Sequence, residues 1–146
     1  MPSLCILRWC GAGVTCFRLT IMFGIFGRFG RARDLRQLDE ELSRAGVHPA
    51  MASDAVKFTI IRLLKNAHGV AAPQFAQAAP LVAYCMIGSG PFADGNGAEL
   101  TRAVEQRLHK AVAEESSLDA QLVLLTMHAK IIRAEVVERF GLNIDA

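Results

Sequence analysis

Apolar residues recur along most of the chain at steps of three and four positions, the spacing of one face of an α-helix. Leu38 and Leu42 follow this spacing before Gly46, and glycine is a common helix stop. A second helix is predicted from Pro49 to about Ala67, because proline suits a first helical turn. Its polar residues occupy one narrow stripe, so we expect this helix to be central.

The middle of the chain is harder to assign, because glycine and proline interrupt it. Residues 81–87 are uninterruptedly apolar and are interpreted as a helix, since no partner strand is visible. The next ten residues, 88–97, contain four glycines and are predicted to be a loop. Asn96 and Glu99 then have the spacing of a helix cap, which predicts an amphipathic helix after them.

The end of the chain holds its most apolar helix, predicted from Leu118 to about Ile132, and a short helix over 135–140. No segment alternates with period two for long enough to build a sheet. The pattern therefore predicts an all-α fold, a single bundle of about five or six helices packed around residues 56–64 and 122–132.

Charge divides the chain into an arm and a body. The first 33 residues hold five arginines and no acidic residue, whereas the remaining 113 hold 11 basic and 14 acidic residues, a net charge of −3. This asymmetry predicts a basic, poorly ordered N-terminal arm over 1–33 and a helical-bundle domain over 34–146. An acidic body argues against nucleic acid as a partner, because nucleic-acid binding needs a basic stripe on folded structure.

Three interpretations of the arm stay open. Arg18 divides its apolar residues into two runs of nine, too short to span a membrane, and no cleavage site suggests a secretory signal. Residues 1–21 could precede the natural start, because Met22 would open a more regular chain. Alternatively, residues 19–33 could bind a membrane surface, or their phenylalanines could pack on the body. The candidate side chains for membrane contact are Phe23, Phe26, Phe29, Arg28, Arg31 and Arg33.

The positions of the cysteines suggest a cellular compartment for the protein. Three of the four cysteines (5, 10 and 16) lie in the arm, and Cys85 has no partner in the body, so no disulfide framework is expected. This pattern favours a reducing, cytoplasmic location. If the arm binds lipid, the alternative is a peripheral location on the inner membrane surface.

The motifs that would indicate a cofactor or metal all fail at a decisive position. A dinucleotide-binding loop needs glycine where Ala93 stands, and a nucleotide-binding loop needs lysine where Asn96 stands. A calcium loop needs glycine where Glu99 stands. The four histidines and Cys85 show no zinc-like spacing. We therefore expect no cofactor and no metal.

One polar pair on the most apolar helix is the main site candidate. Its predicted solvent stripe consists of Asp119, Thr126, Lys130 and Arg133. Gln121 and His128, seven residues apart, then lie on the apolar side. Buried polar groups need partners, because an unpaired one costs about 1–3 kcal/mol. The partner candidates come from two other apolar helices and are Tyr84, Cys85 and Thr59.

This pair has three interpretations. His128 could be a hydrogen-bonded core histidine, a register point in a homodimer seam, or a proton-transfer group or ligand contact in a small pocket. Cysteine paired with histidine is a known catalytic arrangement, so Cys85 could act as a nucleophile with His128. An apolar setting, however, should raise the pKa of the Cys85 thiol and reduce its reactivity.

The expected function is that of a small non-enzymatic helical protein that acts through protein–protein contact by self-association. The reason is apolar excess: the helix over 118–132 carries apolar residues on both sides of its predicted solvent stripe. Two alternatives remain: a peripheral membrane protein tethered by residues 19–33, and a ligand binder or enzyme that uses Gln121 and His128. The ligand itself is not predicted.

Overall fold

The computed structural model describes residues 32–68 and 74–143. These residues form seven α-helices and one 3-10 turn, with no strand among them, so the all-α prediction is confirmed, with one helix more than expected. The helices are α1 (32–44), α2 (Asp54–His68), α3 (Phe75–Ile87), α4 (Ser89–Asn96), α5 (Ala98–Ala113), α6 (Leu118–His128) and α7 (Ala134–Phe140), and the 3-10 turn is Pro49–Met51. The arm predicted over 1–33 lies outside the described residues, except for Ala32 and Arg33.

Helix α4 is the additional element, and it corrects the loop predicted over 88–97. Gly88 and Gly97 have positive φ angles of 86° and 84°, so the chain turns sharply at both ends of α4. Between them, Pro91 stands in the first turn, where a missing N–H is tolerated, and Phe92 is fully buried. The glycines therefore bound a short helix that one core phenylalanine anchors.

Asn96 also differs from its predicted role as a helix cap. It is the last residue of α4, and its side-chain amide donates to the Ala45 carbonyl at 3.0 Å and the Phe92 carbonyl at 3.1 Å. Asn96 thus ties the end of α4 to the segment after α1, and Gly97 takes the position before α5.

The core centres on α3 rather than on 56–64 and 122–132 alone. Nine of the thirteen residues of α3 are buried, and α3 packs against α4, α5 and α6. An element surrounded in this way is apolar over nearly its whole circumference, which explains why residues 81–87 form an unbroken apolar run. The largest fully buried side chains from the other helices are Leu38, Leu42, Ile60, Leu64, Phe92, Leu108 and Leu122.

Helix α6 is shorter than predicted and ends at His128 instead of about Ile132. Lys130 has a positive φ of 56°, which ends the helical path. The Arg133 backbone N–H then donates to the Cys85 carbonyl of α3 at 2.8 Å, immediately before α7 begins. Among the residues that the structure describes, no helix combines the length and apolar character needed to cross a membrane.

Candidate functional site

The orientation of α6 is the most consequential difference from the sequence-based expectation. Leu122, Val123, Thr126 and Met127 are buried, whereas Gln121, Leu124 and His128 are exposed. The part of the predicted solvent stripe within α6, Asp119 and Thr126, therefore faces the protein, and α6 is turned by about half a turn from its expected orientation. Lys130 and Arg133, which lie beyond the end of α6, are exposed as predicted. The prediction that Gln121 and His128 face the interior is wrong.

The polar residues of the inner stripe have partners in the fold. The Arg107 guanidinium of α5 donates to both carboxylate oxygens of Asp119, at 2.9 and 2.7 Å. The Thr126 hydroxyl donates to the Val123 carbonyl at 2.7 Å. Because these polar groups have hydrogen-bond partners, their inward position avoids the penalty for unpaired polar atoms. Apolar residues of α6 therefore also lie on its outward side.

The outward stripe, which we call the α6 face, consists of Gln121, Leu124, Leu125 and His128. These positions follow the i, i+3, i+4, i+7 spacing of a single helix face. Leu124 is 49% exposed, and Leu125 is half-buried against the edge of the core. The Gln121 amide donates weakly to the Ser116 carbonyl, at 3.5 Å. The face thus has an apolar middle with a polar side chain at each end.

Two open depressions border the α6 face and share Met127 as a wall. The first, of about 460 Å³, lies between the ends of α5 and α6 and the segment after α7, and its lining includes Leu124 and the 45% exposed Val112. The second, of about 420 Å³, lies between α6 and α7, and its lining includes His128, Ile132 and Val137. Apolar side chains therefore extend beyond the helix on its Leu124 and Met127 side, toward α5 and α7.

Tyr84 and Cys85 are fully buried in α3 and do not join the exposed pair. The Tyr84 hydroxyl donates to Glu105 Oε1 at 2.9 Å and accepts from Arg139 Nη1 at 3.4 Å. Arg139 Nη2 also lies 3.0 Å from Glu105 Oε1. Burial, then the hydrogen bond to Glu105, raises the Tyr84 pKa well above its ordinary value. This cluster, whose polar groups have partners, joins α3, α5 and α7.

Cys85 is a poor nucleophile in this position. Burial raises the pKa of its thiol from 9.0 to about 12, an effect that a hydrogen bond with Thr126 opposes only in part. The predicted rise in pKa is therefore confirmed. With so high a pKa, almost no thiolate exists near neutral pH, and thiolate is the reactive form.

The remaining site candidates belong to the arm. Phe23, Phe26, Phe29, Arg28 and Arg31 lie outside the described residues, so their predicted membrane contact stays a prediction. Arg33 is exposed at the start of α1. Thr59, named as a partner for the polar pair, is exposed on α2 and donates to the Ala55 carbonyl within its own helix.

Sequence reasoning missed the groups that orient the site. Arg107 and Asp119 are twelve residues apart on different helices, so no local spacing signals their pairing. Val112 is apolar and follows the helical spacing of α5, yet the structure exposes it. Within the described part of the chain, no group of three histidine, cysteine or acidic residues is arranged to hold a metal ion.

The chain was also compared with known proteins. No family model, curated protein or solved structure matches it. Function must therefore be inferred from the α6 face and its surroundings, whose chemistry suits apolar contact with a polar border.

Proposed function

We propose that this protein is a non-enzymatic helical protein of the cytoplasm that acts through protein–protein contact, and that it associates with itself as a homodimer through the α6 face. The observation that carries this proposal is the exposure of Leu124, at 49%, beside two apolar depressions. Gln121 and His128 border the leucines, in the arrangement of an apolar interface core with a polar rim.

Burial of the face would supply a meaningful driving force. Fully burying a leucine side chain contributes about 1.5–3 kcal/mol, and a two-fold interface uses each contact twice. Val112 and Leu124 are each nearly half exposed, so both retain apolar area to bury. The surrounding depressions provide space in which side chains of a partner can be received.

Sedimentation equilibrium of the full chain at micromolar concentration tests this proposal. The Leu124→Lys variant should shift the protein to monomer, because a lysine at the centre of an apolar seam must be desolvated. The matched control is Leu100→Lys, since Leu100 is 38% exposed on α5 and lines neither depression. A wild-type monomer, or equal effects of the two substitutions, would contradict the proposal.

The proposed compartment rests on cysteine chemistry. Cys85 is a free, buried thiol, and the other three cysteines all lie within the first 16 residues. Free thiols persist in reducing compartments. Fractionation of cells that express the full chain should recover it with cytoplasmic marker proteins, and recovery in an oxidising compartment would refute this assignment.

Tethering to a membrane surface by residues 19–33 is a second proposal, supported by five arginines and no acidic residue in the first 33 positions. Co-sedimentation with vesicles that contain anionic lipid tests it. Replacement of Phe23, Phe26 and Phe29 by serine should abolish binding while Leu124→Lys leaves it intact. The reverse pattern would assign any lipid binding to the α6 face.

A further inference from the structure

The α6 face is symmetric about its own midpoint. Leu124 and Leu125 stand at the centre, and Gln121 and His128 stand at equal distances on either side. Two helices that cross a two-fold axis in antiparallel orientation bring residues of this kind together, because each position meets its mirror position in the other copy. The two leucines at the centre of the face can therefore pack against the two leucines of a second copy.

Resting on the proposed self-association, we infer that two copies pack α6 antiparallel, with the two-fold axis passing between Leu124 and Leu125. Each Leu124 then meets the Leu125 of the other copy. Each Gln121 meets the other copy's His128, and an amide and an imidazole can exchange a hydrogen bond. The polar pair fixes the register, because a shift by one turn would set Gln121 or His128 against leucine.

The charges at the two ends of α6 agree with this orientation. The exposed residues just before α6 include the acidic Glu115, and those just after it include the basic Lys130 and Arg133. The neighbouring acidic residues are engaged within the chain, Glu114 at 3.9 Å from Lys110 and Glu135 by the hydrogen bond from the Ser89 N–H. Antiparallel packing sets the acidic end of each copy beside the basic end of the other, whereas parallel packing would set like charges together. The dipoles of two antiparallel helices point in opposite directions, which also favours antiparallel packing.

The geometry makes a distance prediction that separates the two orientations. With a rise of about 1.5 Å per residue, Gln121 and His128 of facing antiparallel helices lie at the same level. The two Gln121 residues, one from each copy, are then displaced by about 10 Å along the axis, as are the two His128 residues. In parallel packing the two Gln121 residues face each other, as do the two His128 residues. Gln121 of one copy and His128 of the other are then displaced by about 10 Å along the axis.

Disulfide formation between single-cysteine variants reads out this difference, because a disulfide needs Cα atoms within about 7 Å. Gln121→Cys and His128→Cys are made separately in the full chain, with cysteines 5, 10 and 16 replaced by serine. Cys85 can remain, since it is buried with a raised pKa. The two variants carry tags of different mass, are mixed at micromolar concentration, and are oxidised with glutathione disulfide, which is reduced to two glutathione thiols as each protein disulfide forms.

We expect the mixed 121–128 disulfide to exceed both same-variant disulfides by at least severalfold, and Leu124→Lys in both chains to remove it. Dominant 121–121 and 128–128 products would overturn the antiparallel inference in favour of parallel packing. Association without any of these disulfides would overturn the proposed register but leave the proposed function standing. A monomer in sedimentation equilibrium would overturn both.

Discussion

Position 88 combines a glycine-type backbone conformation with a close contact to the end of the Glu135 side chain. Its φ of +86° lies in the left-handed region, which L side chains rarely adopt, and a Cβ there would overlap the Glu135 carboxylate. That carboxylate accepts a hydrogen bond from the Ser89 N–H at 2.9 Å, at the first turn of α4. An acidic group in this place stabilises both an unpaired N–H and the positive end of the helix dipole. Gly88 thus lets α7 cap α4.

Replacement of Gly88 by alanine should therefore lower the free energy of unfolding by about 1–3 kcal/mol, through backbone strain and displacement of Glu135. The control is Gly90→Ala inside α4, where an added Cβ meets no atom within 4 Å and should stabilise by about 0.4–1 kcal/mol. Urea unfolding measures both variants. Equal stabilities of the two variants would contradict both the backbone strain at position 88 and the displacement of Glu135.

The free energy of unfolding should depend on pH through Cys85, and the sign of this dependence follows from the burial of the thiol. The thiol pKa is raised from 9.0 to about 12 in the folded protein, so between these values the folded state holds a proton that the unfolded state has lost. Stability from this group is complete below about pH 9 and declines as pH rises towards 12.

Urea unfolding at pH 8 and pH 10.5 should therefore show a smaller loss of stability for Cys85→Ala than for the wild type. Each protein is compared with itself at the two pH values, which removes the cost of the cavity that alanine leaves. Identical losses would mean that the thiol ionises equally in the folded and unfolded chain.

Among the elements, α6 has two apolar sides in different environments. Leu122 is 1% exposed and packs in the core, whereas Leu124, two residues later, is 49% exposed on the α6 face. Replacing each of these two leucines in turn therefore tests the observed orientation of α6 directly.

Leu122→Ala should cost about 2–5 kcal/mol of unfolding free energy, as expected for a buried leucine. Leu124→Ala should cost less than about 1 kcal/mol when measured at concentrations where the chain is monomeric. The reverse order would restore the orientation first expected from the sequence, with Gln121 and His128 inside.

The sequence predicts the helices of this fold better than their faces. Periodicity and stop residues such as Gly46 and Gly141 are local signals, and the all-α architecture follows from them. Helix α6 has apolar residues all round, so periodicity cannot orient it, and the pairing of Asp119 with Arg107 is not local. Helix α4 was missed for a similar reason, because its stability depends on the burial of Phe92 by distant parts of the chain.

For the molecule as a whole, the distribution of exposed charge bears on how copies would meet. Glu115 lies in the turn before α6, and Arg133 lies just beyond its end, at the start of α7. In the proposed antiparallel dimer these residues approach each other across the seam, and symmetry produces the contact twice. Exposed ion pairs contribute only about 0–1 kcal/mol each, so the leucines supply most of the affinity and the charges select the orientation.

Reversal of one charge should therefore weaken association, and reversal of both should restore it. Glu115→Arg or Arg133→Glu alone replaces two attractions by two repulsions and should raise the dimer dissociation constant several-fold, less so at high salt because exposed charges are screened. The double variant should recover most of the wild-type value in sedimentation equilibrium. Glu40→Arg, an exposed site on α1, is the control for net charge. Failure of the double variant to recover, while both single variants weaken association, would place Glu115 and Arg133 at the seam without contact between them and would argue against the antiparallel register.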